Sequence, residues 1–410
     1  MLGVAVFTPR IALVLAAAVV TIAPITRAQR DPPARVVAVG DVHGSLDGLR
    51  AVLSAAGLID GSDHWTGGAA TLVQTGDVTD RGADVRGALD LLMAIEREAP
   101  AHGGRVLPVL GNHEAMNLVG ELRDATPEIC ARFAGKDADQ VRENGWRDYQ
   151  RLVKTRARTR KGEQPPGLTR AQSGFLAAYP RGCIEYRRAL GPDGVYGRWL
   201  RQRPIAVKVG RSIFMHAGAP PETTESIEAV NARARSEIER ADRFVARLVS
   251  AGLAEPWFRL EDLLAVAAAE VRWLNGRVAA ATAKGESPDL AGLDIALAKE
   301  AAAFTGLGGW SLLDGDGPLW YRGYATQDAA MLEAPLTALL ARWEADRIVV
   351  GHTVNRDFHI RSRLGGRIFL IDTGMLKTVY QGIGSALDFE GAAVQAIYGD
   401  GRRQEVSPAP

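Results

Sequence analysis

The chain has 410 residues, 47% of them hydrophobic and 24% charged, the balance of a folded globular protein rather than a disordered one. Its 49 Lys and Arg against 48 Asp and Glu leave a net charge of +1, which excludes bulk electrostatic steering toward nucleic acid or an anionic membrane. Recognition of any anionic partner must therefore come from local sites, and the length fits one large domain with insertions or two domains.

In chain order, residues 1–28 carry Arg10 and then an apolar run over 11–25 broken only by Thr21 and Pro24. Thr26 and Ala28 offer small residues at the −3 and −1 positions of a cleavage after Ala28. The pattern predicts a secretory signal peptide over 1–28 and a periplasmic or secreted protein. The alternative is an uncleaved, membrane-anchoring N-terminal segment. The run is short beside the roughly 20 residues of a spanning helix. No later segment is long and apolar enough to span, so no stable membrane association is expected after cleavage.

Three strand-like runs follow, "ARVVAVG", "ATLVQTG" and "RVLPVLG", ending at Gly40, Gly76 and Gly111. Helix-like stretches over 46–56 and 84–98 separate them. Strand–helix alternation implies a parallel sheet with crossover helices, and sites in such sheets lie outside the carboxyl ends of the strands. Further on, "PIAVKVG" and "RSIFMHAG" read as a hairpin around Gly210 and Arg211. "DRIVVGHT", "GRIFLIDTG" and a closing pair over 387–398 complete two mixed sheets packed together. Segments 120–198 and 222–305 have helical spacing and read as insertions emerging from the active-site rim. Cys130 and Cys183 belong to no zinc or CxxC pattern; in an exported protein they can pair, or remain two buried thiols. The tail over 402–410 reads as disordered. No internal repeat is present.

The chemistry-bearing residues sit at the strand ends. In "GDVHG", Asp41 and His43 are two apart and in extended backbone would point to one side, a half-site for a divalent transition metal. In "GDVTDRG", Asp77 holds the position after its strand that Asp41 holds after the first, and a carboxylate can bridge two cations. Asp80 and Arg81 follow, the latter a permanent, fork-shaped phosphate ligand. In "GNHE", Asn112 offers an amide oxygen, His113 an imidazole, and Glu114 a carboxylate that could orient a ring or cap the next helix. His216 in "IFMHAG" and His352 in "IVVGHT" end two more strands. Of 7 histidines, His43, His113, His216 and His352 share this setting, while His64, His102 and His359 do not.

Taken in order, GDVHG, GDVTDRG, GNHE, HAG and GHT resemble the phosphoprotein phosphatase family of calcineurin-like metallophosphoesterases. The resemblance covers 35–117 and roughly 203–218 and 319–374. The exported context and "GPLWYRGY" look closest to the bacterial-like, Shewanella-like protein phosphatases. The resemblance implies a four-layer α/β/β/α sandwich of two mixed β-sheets, a domain over 34–405 interrupted by the helical insertions. It implies two divalent metal ions, Mn²⁺ first and Fe or Zn²⁺ otherwise. Asp41 and His43 would hold one, Asp77 would bridge, and Asn112, His216 and His352 would hold the other. It further implies in-line attack of a metal-activated hydroxide, His113 as general acid oriented by Asp80, and Arg81 as a phosphate ligand. Arg322, between the last two histidine motifs, is the candidate second phosphate arginine; a rim salt bridge is its alternative. Asp372 in "LIDTG" would support the ligands or the fold. Two features depart from the family: HAG stands where many relatives have HGG, and the insertions are unusual beside eukaryotic members.

The implied activity is a metal-dependent phosphomonoesterase, a protein phosphatase acting on phosphorylated protein or peptide, with no nucleic-acid partner. A dinucleoside polyphosphate, a nucleotide or another small phosphate ester would suit the same residues. A phospho-partner-binding scaffold would be expected to lack a ligand or the acid, and none is missing. A purple acid phosphatase would need a tyrosine near the second Asp motif, and "GDVTDRG" has none.

Overall fold

The computed structural model describes residues 35–159, 168–286, 294–391 and 393–406; the predicted signal peptide lies outside them. Eleven strands form two mixed sheets among the described residues. Strands β1 (Arg35–Val39), β2 (Thr71–Gln74) and β3 (Arg105–Pro108) pair in parallel. Helices α1 (Leu46–Ala55) and α2 (Val85–Glu98) form the crossovers. Asp84 caps α2 by accepting the N–H of Gly87, which moves the helix start one residue past the predicted one. Helix α3 (Asn112–Val119) begins directly after Gly111.

The first insertion folds as α4 (Pro127–Phe133), α5 (Ala138–Thr159), α6 (Gln172–Ala178), α7 (Cys183–Leu190) and α8 (Val195–Arg201). The predicted hairpin is β4 (Ala206–Val209) with β5 (Ser212–Met215), turning at Gly210. The second insertion folds as α9 (Ile227–Ser250), α10 (Leu260–Ala283) and α11 (Ile295–Thr305). After α12 (Gly323–Thr326) and α13 (Ala329–Arg342) come β6 (Arg347–Val350), β7 (Arg361–Arg363) and β8 (Ile368–Leu370). Helix α14 (Lys377–Tyr380) and strands β9 (Ser385–Glu390), β10 (Ala393–Tyr398) and β11 (Arg403–Glu405) close the chain.

One sheet runs β11-β10-β9-β1-β2-β3 and the other β4-β5-β6-β8-β7. Residues alternate faces along each strand, and both faces are buried. Val36 and Ala38 of β1 meet Phe214 of β5 and Val349 of β6 between the sheets. Val37 and Val39 face α1 and α2 on the outside. Ile213, Met215, Ile348 and Val350 face Leu332, Leu336 and Leu339 of α13. The result is the expected α/β/β/α layering. Each fully buried leucine of that outer layer contributes about 1.5–3 kcal/mol relative to exposure.

Two expectations change. The tail is not wholly disordered: Arg403–Glu405 pairs antiparallel with β10, Gln395 opposite Glu405, because the free edge of β10 offers unpaired backbone groups; residues 407–410 lie outside the described set. The insertions do more than emerge at a rim. Tyr149, Phe175 and Tyr179 from the first pack with Phe244, Trp257, Phe258 and Phe304 from the second in one shared core.

Cys130 and Cys183 are joined in a disulfide, Cα atoms 4.6 Å apart, between α4 and α7. The bridge closes a separation of 53 residues, a loop whose closure in the unfolded chain is worth about 4 kcal/mol on the chain-entropy estimate. A Cys130→Ser/Cys183→Ser variant should therefore lose up to about 4 kcal/mol of stability. Denaturant unfolding checks this; an unshifted midpoint would show that the bridge does not restrain the unfolded chain.

Candidate active site

Every predicted site residue lies at the carboxyl end of a strand or just beyond, except Arg322. His43 follows β1, Asp77 follows β2, Asn112 opens α3 after β3, His216 follows β5 and His352 follows β6. Because β5 and β6 pair in parallel with Met215 opposite Val350, His216 and His352 project side by side. The Gly351 N–H donates to the His216 carbonyl and fixes that adjacency at 2.8 Å.

The loops are bent in a way that spacing alone does not show. His43, Asp77, Asp80, Arg81 and His352 all have left-handed backbone, with φ of 47°, 55°, 70°, 67° and 65°. Among the described residues ten non-glycine positions do so, so half of them belong to this site, where such strain is a sign of function. Asp41 and His43 thus converge through a turn, not through an extended strand. Gly76 has φ of 91° and lies so close to Gly111 that a Cβ would stand 2.4 Å from the Gly111 nitrogen; only glycine fits there.

Glu114 holds the loops together. Its buried carboxylate accepts the N–H groups of Asp77 (2.7 Å), Val78 (2.8 Å), Thr79 (2.9 Å) and Gly111 (2.8 Å), and the Thr79 hydroxyl at 2.9 Å. The Gly111 contact is the helix cap expected of it; the other four tie the Asp77 loop to the start of α3.

Asp77 is the centre. Its Oδ1 accepts the His113 N–H at 3.0 Å. Its Oδ2 lies 3.3 Å from His216 Nε2, 3.5 Å from His43 Nε2 and 3.9 Å from His113 Nε2. The imidazoles are aimed by carbonyls: His43 Nδ1–H donates to Thr79 O at 3.1 Å, His216 Nδ1–H to Thr75 O at 3.0 Å, and His352 Nε2–H to Trp320 O at 3.2 Å. The opposite ring nitrogens then face Asp77, an arrangement typical of metal-ligating histidines. His216 Nε2 also lies 2.8 Å from Asn112 Oδ1 and 3.0 Å from His352 Nδ1.

Charge follows geometry. Burial would raise the Asp77 pKa, but His216, His113 and His43 outweigh it and hold the carboxyl well below its ordinary range. Burial, then His216 and Arg322, push His352 down to about 2; burial leads in pushing His43 down to about 3. Both rings are therefore neutral, as ligation requires. Burial, then Asp372 and Asp77, push Asp41 well up, which records carboxylates crowded without a counter-charge.

The donor set fits two cations. One group is Asp77, His216 and His352; the other is His43, Asp77 and His113, with Asp77 common to both. Two nitrogens each about 2.0–2.1 Å from a metal at right angles stand about 3 Å apart, the spacing of His216 and His352. Asp41 stands slightly back, its Oδ2 4.0 Å from His43 Nε2, while its Oδ1 accepts the His352 N–H at 3.0 Å. It joins the first half-site through His43 and braces the second sheet.

His113 Nδ1 bonds Asp80 Oδ2 at 2.8 Å, the predicted dyad. Arg81 Nη1 donates to His43 Nε2 at 2.8 Å and to the Tyr380 hydroxyl. Arg322 makes no rim salt bridge among the described residues; its Nη1 donates to the His352 carbonyl and to Thr353 Oγ1, both at 3.0 Å. Both arginines line one pocket of about 340 Å³ with Asp77, Asn112, His113 and His352. Asp372 contacts Asp41, as a supporting residue would. Trp320 and Tyr380 also line the pocket. Sequence reasoning misses both, because they follow no motif and only "WYRGY" hints at the first.

A family model described as "Calcineurin-like phosphoesterase" matches residues 34–249. The chain belongs to that family. His352 lies beyond the matched span, and the pairing of β6 with β5 brings it to the site. Shewanella-like protein phosphatase 2 of Arabidopsis thaliana is 34% identical over 246 residues, 57% of this chain and 60% of that protein; the chain thus spans under two thirds of that relative's length. An uncharacterised Schizosaccharomyces pombe protein is 30% identical over 353 residues, 84% of this chain and 74% of its own. The crystal structure of the cold-active protein-tyrosine phosphatase of a psychrophilic Shewanella species superposes with a TM-score of 0.51 at 22% identity, covering 91% of this chain and 80% of that one. That likeness is one of fold.

Two outcomes follow from the donor set. Mn²⁺ at 100 times its Kd should stabilise the protein by about 2.7 kcal/mol, read as a rise in Tm over the chelated protein, and Asp77→Asn should abolish most of that rise. Glu114→Gln should lower stability by roughly 1–3 kcal/mol, since it sets an amide N–H against buried donors. An unchanged Tm in Glu114→Gln would remove its role as the tie between loops.

Proposed function

We propose that the protein is a metal-dependent phosphomonoesterase of the protein phosphatase type, acting on phosphorylated protein or peptide. The observation that carries this is the convergence of four imidazoles and an amide oxygen around Asp77 beside two arginines in one pocket. Asp41, His43, Asp77, Asn112, His216 and His352 would hold two divalent cations, Mn²⁺ by preference, since mixed nitrogen and oxygen donors suit it better than Ca²⁺. Such cations supply Lewis-acid charge to a phosphoryl group and acidify water.

The chain's own residues do the rest. Arg81 and Arg322 flank the pocket and offer fork-shaped donors to phosphate oxygens. His113 keeps Nδ1–H on Asp80, which leaves Nε2 to deliver a proton to the departing oxygen. Burial disfavours the charge on His113, but Asp77 and Asp80 outweigh it and raise its pKa. His113 Nε2 also lies beside Asp77 and so has a ligand-like position; its bond to Asp80 favours the acid role. Export supports the picture from outside the site: the N-terminal pattern and the Cys130–Cys183 bridge both suit an oxidising compartment such as the periplasm.

Turnover by the chain lacking residues 1–28, with Mn²⁺ or chelator, tests the reading on phosphoserine and phosphotyrosine peptides and a dinucleoside polyphosphate. Phosphate release that chelator abolishes is expected; release only from a dinucleoside polyphosphate would overturn the substrate, and silence on all of them the activity. His113→Asn should lower kcat by about 10²–10⁴. Arg322→Ala should raise KM roughly tenfold, the loss of one charge-assisted hydrogen bond.

A further inference from the structure

We infer that Asn117 and Tyr186 are positioning residues: they form a buried relay through which insertion helix α7 fixes the Asp80 carboxylate on His113. The inference rests on the acid role given to His113 above. Asp80 is fully buried, and both of its side-chain bonds fall on Oδ2, from His113 Nδ1 at 2.8 Å and from Asn117 Nδ2 at 2.9 Å. Its Oδ1 is buried without a hydrogen-bond partner. Asp80 and Arg81 also lie in successive left-handed turns, so the main chain offers Asp80 no regular ladder to lean on. The angle at which Asp80 meets the imidazole is thus set from outside, by Asn117.

Asn117 lies one helical turn after His113 and is gripped at each polar group. Its Nδ2 donates to Asp80 and to the His113 carbonyl at 2.9 Å. Its Oδ1 accepts the Tyr186 hydroxyl at 2.8 Å, and its carbonyl accepts Arg187 Nη1 at 3.0 Å. Two acceptors on one side and a donor on the other permit one amide orientation; the flipped amide would set oxygen against the Asp80 carboxylate. Tyr186 is itself immobilised, fully buried with its ring edge-on to Phe133 at 4.8 Å. Helix α7 begins at Cys183, bonded to Cys130 on α4. The first insertion therefore reaches the proton donor through Asn117 and Asp80.

A loosened Asp80 should matter in proportion to the leaving group's need for a proton. Tyr186→Phe removes one hydroxyl from the Mn²⁺-loaded full-length protein. Its kcat on an alkyl phosphate such as a phosphoserine peptide should fall 10- to 100-fold. On p-nitrophenyl phosphate, whose leaving group departs as a stable anion, kcat should fall less than about 3-fold, with both KM values within twofold. Equal losses on both substrates, or no loss on either, would overturn the proposal in favour of a merely structural Tyr186. A second readout needs no turnover. In metal-free protein the His113 Nδ1 proton, assigned by its absence in His113→Asn, should exchange with solvent at least tenfold faster in Tyr186→Phe. Unchanged exchange overturns the relay even where the wild type hydrolyses nothing, a result that would sink the phosphatase reading by itself. Should Tyr186→Phe fail to fold, Asn117→Ser takes its place in both measurements, with the same losses expected and the same results overturning the relay.

Discussion

A buried carboxylate without donors is costly by several kcal/mol, and Glu114 sits in the interior of this protein with five of them. Four are main-chain N–H groups from two separate loops. The site depends on that one satisfied charge. It lets the chain leave β2, pass through left-handed turns at Asp77, Asp80 and Arg81, and still arrive at a fixed place beside α3. Each such turn costs of the order of 1–3 kcal/mol, so a weaker tie would let the loop relax and scatter the ligands.

Much of this is legible in the chain. The strand ends, the crossover helices, the hairpin at Gly210 and the residues around Asp77 all follow from apolar runs that stop at glycine. Those signals are local, and a sheet converts them into position without further information. The illegible parts are those set by contacts distant in sequence. No spacing rule announces that the carbonyls of Thr75 and Thr79 aim two rings, 141 and 36 residues away respectively, because every residue has a carbonyl. In sequence, Asn117 and Tyr186 are ordinary helix positions. Their importance arises from a chain separation of 69 residues being folded back on itself. The exposed, polar residues of β11 read as disordered; what orders them is a neighbouring edge, which composition does not report.

The two insertions share one aromatic core, while Ile129, Tyr186 and Trp199 of the first and Val230 and Ile238 of the second pack into the main core. They are tied to the sandwich at α3, where Arg187 donates to the Asn117 carbonyl and the Leu260 N–H to the Gly120 carbonyl, and at the β4–β5 hairpin. Asn231 of α9 accepts the N–H groups of Ile205 and Ala206 at 2.9 and 3.0 Å and donates to the Ala206 carbonyl at 2.9 Å, stitching the second insertion to the hairpin. A change in either insertion therefore has a mechanical route to the strands that carry His216.

The pairing of β1 with β9 has a consequence for how the molecule is made. Arg35 lies opposite Glu390 and bonds Asp388, 353 residues onward. A ribosome releases β1 long before its partner. Until then one side of β1 is a bare, apolar edge, the kind of template on which other chains align. Contacts of such sequence separation also slow folding, because closure entropy precedes any gain. This strand thus stays open on one side until β9 arrives, and a holding chaperone would have a long engagement with the segment that later carries Asp41 and His43.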